Sequence, residues 1–222
     1  MPRIARIVVP GLPHHVTQRG NHRAAIFFGE ADYRLYRDLL AIETRRAAVA
    51  VWGWCLMPNH VHLILTPAEP QGLAQALART HRRYAAVINA RALRTGHLFQ
   101  ERFSSAPMDE DHLIAAWRYV SLNPRRAGLV RDLADWPWSS LSAHLGGADD
   151  GLTDVAPARQ RVPRFADLLE SDPADPAFRV FRKAEAIGHP LASESFTRAL
   201  EERLGRKLLP QKRGRKVKEE KE

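Results

Sequence analysis

His60 and His62 stand one residue apart in Trp54-Cys55-Leu56-Met57-Pro58-Asn59-His60-Val61-His62-Leu63-Ile64-Leu65, a run that reads as a buried strand. Residues i and i+2 of a strand point to the same face, so the two imidazoles can converge on one ligand while Val61 turns into the core. Neutral imidazole is a common ligand of divalent cations, which makes the pair a candidate metal site. A bare His-x-His is also compatible with two histidines that merely close a strand end.

A second chemically capable pair lies further along, in Asp109-Glu110-Asp111-His112-Leu113-Ile114-Ala115-Ala116-Trp117-Arg118-Tyr119-Val120-Ser121-Leu122-Asn123-Pro124. Leu113, Trp117 and Val120 recur at helical spacing as an apolar stripe. Tyr119 and Asn123, four residues apart, share a different face, so a phenol and an amide project together. Taken alone, Tyr119 reads as an ordinary half-buried helix tyrosine.

For these groups to meet, a strand and a helix must pack together, and the rest of the chain supplies the frame. His14 to Arg19 reads as a first strand, introduced by Gly11 and Pro13 and closed by Gly20-Asn21. Glu30 to Arg46 reads as a helix with Tyr33, Tyr36, Leu39 and Leu40 on its apolar face. Ala50 to Leu56 and His60 to Thr66 read as two strands joined through Met57-Pro58-Asn59, a connection short enough to indicate an antiparallel pair. Leu73 to Leu93 forms a helix with Leu73, Leu77, Tyr84 and Ile88 on one face and Arg79, Arg82 and Arg83 roughly opposite, stopped by Gly96. A fourth strand is expected over about His97 to Met108, followed by the Tyr119 helix. That helix is expected to end or bend at Asn123, because proline disfavours helical geometry in the residue before it. The order β-α-β-β-α-β-α predicts an α+β fold, a ferredoxin-like (split βαβ) antiparallel sheet with packed helices. Trp136-Pro137-Trp138 returns the chain to the core, and the glycine-rich stretch from Gly146 to Gly151 reads as a linker. Three short helices over Arg164 to Glu170, Ala177 to Ile187 and Ser193 to Leu204 form a small C-terminal helical extension, the last with Ser193 as N-cap.

Three stretches in this order carry a resemblance: Gly11-Leu12-Pro13-His14-His15-Val16-Thr17-Gln18-Arg19-Gly20-Asn21, Met57-Pro58-Asn59-His60-Val61-His62, and Tyr119-Val120-Ser121-Leu122-Asn123-Pro124-Arg125-Arg126-Ala127-Gly128-Leu129-Val130. Together they resemble the single-tyrosine HUH transposases of the IS200/IS605 type, and more closely their REP-associated relatives. The resemblance covers roughly residues 8 to 145. It implies a metal-dependent endonuclease and strand transferase acting on single-stranded, repetitive palindromic hairpin DNA. Tyr119 would attack a phosphodiester to give a 5′-phosphotyrosine and a free 3′-hydroxyl. His60, His62 and Asn123 would hold Mg²⁺ or Mn²⁺. Asn123 departs from the commoner glutamine of the insertion-sequence enzymes and is one methylene shorter. With the linker, the helical patterns beyond it and the basic tail, the chain is expected to divide into three parts: a transposase domain over 1–147, a helical extension over 148–208 and a flexible basic tail over 209–222. Insertion-sequence members pair as dimers with the tyrosine helix supplied in trans, whereas REP-associated members are expected as monomers.

Such chemistry is physically coherent. A tyrosine nucleophile exchanges one phosphate ester for another and holds the broken end covalently. A phenol with a pKa near ~10 needs a strongly polarised phosphate, which a cation with open coordination positions provides.

The charge distribution points to the same class of partner. Of the formal +9, the stretch 71–95 contributes +5 through Arg79, Arg82, Arg83, Arg91 and Arg94 with no acid, and the tail from Arg206 to Glu222 another +5, so the remainder is close to neutral. Basicity concentrated in two places suggests phosphate contacts, with Arg79, Arg82, Arg83, Lys212, Arg213, Arg215 and Lys216 as candidates. The tail is equally compatible with a solvated terminus of no specific role. Arg125 and Arg126 suit phosphates near the scissile bond, or the C-terminus of their own helix. Arg19 suits DNA, or a carboxylate partner. Two other readings stand beside the transposase: a DNA-binding regulator that no longer cuts, and an RNA-binding sheet using Trp52 and Trp54, although tryptophans in an apolar strand are more often core. No Gly-x-x-x-x-Gly-Lys-Ser/Thr loop is present, so no nucleotide energy is expected. The single cysteine, Cys55, excludes an internal disulfide, and with no signal-like or membrane-length apolar run the expected location is the cytoplasm.

Overall fold

Side-chain alternation in the strand His60–Pro67 decides where each helix packs. Val61, Leu63 and Leu65 join one buried cluster with Tyr36, Leu40, Leu77 and Tyr84, whereas Ile64 joins another with Trp117 and Val120. A strand with apolar residues on both faces needs a helical layer on each side. The computed structural model describes residues 6–146, 150–170, 175, 178–181 and 189–209. Strands β1 (His14–Arg19), β2 (Val49–Met57), β3 (His60–Pro67) and β4 (Ser104–Pro107) form a four-stranded antiparallel sheet in the order β2-β3-β1-β4. Helices α1 (Glu30–Arg46) and α2 (Gly72–Arg91) cover one face and α3 (Glu110–Arg126) the other. This is the expected α+β, split βαβ arrangement, extended by further C-terminal helices.

The first strand and first helix fall where the sequence places them, and β2 and β3 are joined by Pro58-Asn59 alone. Two elements differ. The fourth strand is confined to Ser104–Pro107 instead of beginning near His97. Leu98 and Gln100 still bond to the end of β1, through Asn21 N–H to Leu98 O and Gln100 N–H to Arg19 O, both 2.9 Å. Glu101, at φ +48, then breaks the extended path. Helix α3, in turn, does not stop at Asn123 but passes through Pro124 to Arg126. So close to the helix end, the missing proline N–H forfeits a single intrahelical bond, and Ala127 N–H to Asn123 O at 2.9 Å carries the turn onward.

Close approach of α3 to the sheet depends on Gly53, which sits at a bulge in β2. A Cβ there would lie 3.3 Å from both Trp117 Cδ1 and Ile64 Cδ1. Trp117 is anchored by its own indole, which donates to Trp52 O at 2.8 Å.

The chain beyond α3 is joined to the sheet edges. Ser139 bridges Cys55, and Trp54 Nε1–H donates to Thr153 Oγ1 at 2.9 Å. Leu191 N–H donates to Pro107 O at 2.9 Å. Of the expected C-terminal helices, the first is a 3-10 segment, Phe165–Leu169, and the last is Glu194–Leu204, capped by Ser193 Oγ accepting from Phe196 N–H. The middle one, Ala177 to Ile187, falls mostly outside the described residues, of which 178–181 are helical. Lys212, Arg213, Arg215 and Lys216 also lie outside them. Among the described residues, no helix is long and apolar enough to cross a membrane.

His14 ties the N-terminal segment to the sheet in a way that only a neutral ring permits. Its Nδ1–H donates to Leu12 O at 2.8 Å and its Nε2 accepts from Val9 N–H at 3.1 Å. Burial holds its pKa down to about 4 against an ordinary 6.5. Between those two values the unfolded chain binds the proton that the folded chain refuses, so stability falls as the pH drops through that window. The difference corresponds to about 3 kcal/mol. His15, lowered by burial to about 3, and His144, lowered by burial to about 4, act in the same sense. Melting followed by circular dichroism should therefore give a midpoint that falls steadily from pH 7 to pH 4.5. A flat profile would contradict the assignment.

Candidate active site

Register brings the histidine strand and the first strand together. Arg19 pairs with His60 and Thr17 with His62 across β1 and β3. Because side chains alternate, His15, Thr17 and Arg19 share the face that carries His60 and His62. Helix α3 lies over that face and sets Tyr119 edge-on to His62, with ring centroids 5.3 Å apart. Histidines and tyrosine thus meet within one chain.

A cavity of about 350 Å³ opens here, lined by Arg19, Arg23, His60, Tyr119, Asn123 and Arg126. His62 stands behind it, 1% exposed, with His60 edge-on to its ring at 4.8 Å. The sequence therefore singled out most of the lining, but not Arg23. That residue is brought in by a loop in which His22 and Arg23 adopt positive φ.

Asn59 sets the tautomer of His60. Its Nδ2 donates to Arg23 O at 2.9 Å, so its Oδ1 is the end facing His60 Nδ1, at 2.6 Å. The proton then sits on His60 Nδ1, and Nε2 keeps its lone pair. Burial, reinforced by the charge of Arg19, lowers the His60 pKa to about 4. Burial first, then His60, His15, Arg19 and Arg126, holds that of His62 well below its ordinary value. Both rings are neutral at physiological pH, the state in which imidazole ligates metals.

Among the described residues, the buried side-chain polar atoms without a partner include two at this site, His62 Nε2 and Asn123 Nδ2. Unpaired buried polar groups are costly, and coordination of a cation is one reason for a protein to retain a bare imidazole nitrogen such as His62 Nε2. Asn123 would ligate through its amide oxygen, so its orphaned Nδ2 is a donor that a cation does not explain. Two imidazoles and an amide fit a weakly held divalent ion with open positions. No group of three or more His, Cys, Asp or Glu side chains able to hold a metal occurs among the described residues. No carboxylate lines the cavity, and three of its six named side chains are arginines.

Tyr119 is 3% exposed and enclosed by aromatic rings the sequence did not single out. Phe181 stacks on it at 4.9 Å, and Phe178 lies tilted at 5.5 Å. The Arg126 guanidinium sits 4.8 Å from the centroids of both Tyr119 and Phe178. Phe178 and Phe181 come from the C-terminal extension, and a lone Phe-x-x-Phe carries no signal of where it docks.

The remaining arginines lie elsewhere. Arg125 donates to Leu169 O at 3.2 Å and lines a different cavity, with Arg131 and Trp136. Arg79, Arg82 and Arg83 belong to the α1–α2 layer, on the opposite face of the sheet. Buried Glu43 of α1 draws Arg83 to 2.8 Å and Arg79 to 3.9 Å. Asp32 of α1 takes both terminal nitrogens of Arg91, at 2.6 and 2.8 Å. Three arginines of the acid-free run, Arg79, Arg83 and Arg91, thus share two carboxylates of the neighbouring helix.

A ferredoxin-like sheet with a histidine pair on one strand facing a tyrosine helix is the frame on which comparison with known proteins bears. The sequence pattern of the family described as "Transposase IS200 like" matches residues 8–123, ending on Asn123. The chain belongs to this family of IS200-like transposases. Among solved structures, a REP-associated tyrosine transposase bound to a REP hairpin is similar over 70% of this chain and 94% of its own, with 19% identity and a TM-score of 0.56. A putative transposase from Deinococcus radiodurans matches 54% of this chain and 95% of its own at 19% identity, with a TM-score of 0.39. No curated protein matches the sequence.

Proposed function

We propose that the protein is a REP-associated type of tyrosine transposase, a metal-dependent single-strand DNA endonuclease and strand transferase acting on palindromic hairpin DNA. The observation that carries this reading is the convergence of His60, Tyr119, Asn123 and Arg126 on one cavity, with the unpartnered His62 Nε2 behind it. The solved relative bound to a REP hairpin supports the choice of DNA.

In this reading Tyr119 Oη attacks the phosphorus, a P–O bond forms, and the bond to the 3′-oxygen breaks. The DNA 5′-phosphate stays on the tyrosine, and the phenolic proton balances the departing 3′-hydroxyl. Mg²⁺ or Mn²⁺ held by His60, His62 and Asn123 would withdraw charge from a phosphate oxygen. Asn59 orients His60, and Arg19 and Arg23 bind the phosphate. Arg126, above the phenol ring, stabilises negative charge as it develops on Tyr119. Phe178 and Phe181 limit the rotamers of the Tyr119 ring.

Arg79, Arg82, Arg83 and Arg125 are proposed as more distant backbone contacts, along with Lys212, Arg213, Arg215 and Lys216 of the tail. The division into a transposase domain (1–147), a helical extension (148–208) and a basic tail (209–222) belongs to the same proposal. So do a monomeric or homodimeric state and a cytoplasmic location.

Labelled single-stranded hairpins from the host's own repeats, incubated with protein and Mn²⁺, should yield a covalent adduct and a free 3′-hydroxyl end. Both should vanish with a chelator. Hairpin binding with no adduct under any metal would favour the second reading, a non-cleaving DNA-binding regulator, which draws on the burial of Tyr119 beneath Phe181.

A further inference from the structure

His15 is a fully enclosed histidine with no part in the reaction just described. It makes a hydrogen bond whose geometry is unusually informative. His15 Nε2 lies 3.2 Å from His62 Nδ1, and the two rings are 8° from parallel with centroids 5.4 Å apart. That centroid separation is the N···N distance plus roughly two ring radii. The rings are therefore edge to edge in nearly one plane, and a proton on one nitrogen points along the in-plane lone pair of the other. Tyr119 and Phe181 stand edge-on to His15 at 5.8 and 5.5 Å and lock its plane.

One proton is shared by this contact, so one of two arrangements holds. If His15 donates, His62 Nδ1 is the acceptor and its remaining proton sits on Nε2, a buried donor with no partner among the described residues. If His62 donates, its Nε2 carries a lone pair, which is what a cation requires. We propose that His15 is the positioning residue of His62, accepting the Nδ1 proton at its own Nε2 and so holding His62 with Nε2 bare. The proposal rests on the metal reading of the preceding section. It assigns His15 the task Asn59 performs for His60, so each imidazole is set by its own hydrogen-bond acceptor. Partners of ligating histidines are usually carboxylates, carbonyls or water. A second imidazole orients the ring as well but adds no negative charge.

The test compares the full-length protein with His15→Phe, which keeps a flat ring against Tyr119 but removes the acceptor, and His15→Gln, whose amide oxygen can replace it. Long-range ¹H–¹⁵N spectra of the metal-free protein read the His62 tautomer directly. Mn²⁺ titration followed by electron paramagnetic resonance reads affinity without any cleavage. Wild type should show His62 protonated at Nδ1 only. In His15→Phe that preference should be lost and Mn²⁺ affinity should fall by about tenfold or more. His15→Gln should restore both to within about threefold of wild type. An unchanged His62 tautomer in His15→Phe, or unchanged Mn²⁺ affinity, overturns the proposal. Should His15→Phe not fold, as judged by near-ultraviolet circular dichroism, His15→Asn, with an amide too short to reach His62, replaces it under the same criteria. Failure of the underlying metal reading looks different: wild type would bind Mn²⁺ no better than His62→Ala. The tautomer comparison would still decide the role of His15.

Discussion

Tyr119→Phe should abolish the covalent protein–DNA adduct, with a loss of at least about a thousandfold in single-turnover cleavage, while hairpin affinity stays within about twofold of wild type. The substitution removes one oxygen and keeps the ring. Its stack on Phe181 at 4.9 Å and its edge contact with His62 at 5.3 Å are therefore preserved. Arg126 also retains an aromatic face beneath its guanidinium. Loss of the adduct then reports loss of the nucleophile and not of the fold. Denaturing gels of protein with end-labelled hairpin, alongside filter binding, measure the two quantities. An adduct persisting at wild-type yield in the variant would remove Tyr119 from the chemistry and leave the helix pairing as a structural feature.

Cation and DNA should bind cooperatively, each tightening the other by about tenfold to a hundredfold, a coupling of about 1–3 kcal/mol. The reason is the charge of the cavity. Arg19, Arg23 and Arg126 line it and no carboxylate does, so a divalent ion entering alone meets like charge with only neutral ligands to hold it. A DNA phosphate would reverse the sign of the local field and would offer the ion an anionic oxygen ligand. Mn²⁺ titrations in the presence of hairpin, corrected with the His62→Ala complex for ions held by DNA itself, should show this gain. Hairpin affinity should rise by the same factor when Mn²⁺ is added, because linkage is reciprocal. Equal Mn²⁺ affinity with and without DNA would mean that the ion site is self-sufficient, contrary to its composition.

Much of this architecture is local in origin and legible from the chain. Strand alternation places His60 and His62 on one face with Val61 on the other, and helical spacing places Tyr119 beside Asn123, whatever else the protein does. The run His14–Arg19 and the helix Glu30–Arg46 follow from apolar periodicity and glycine or proline stops, and the two-residue turn at Pro58-Asn59 enforces the antiparallel pair. The same alternation in β1 also held a signal that periodicity alone did not rank. His15, two residues before Thr17 and four before Arg19, had to share the histidine face. Its bond to His62 nevertheless depends on the β1–β3 register, which no local pattern specifies.

Tertiary structure alone decided the rest. Proline before the end of α3 argues locally for a stop. The packing of Trp117 over Gly53 and the onward bond from Ala127 to Asn123 outweigh a single missing N–H. Arg79, Arg83 and Arg91 of α2 meet Glu43 and Asp32 of α1, carboxylates distant in sequence that helical periodicity does not pair with them. Arg23 enters the cavity only through a loop at positive φ, and Phe178 and Phe181 reach Tyr119 from the far end of the chain. In each case the deciding partner lies many residues away. Sequence spacing records which side chains share a face of one element, but not which other element will cover that face.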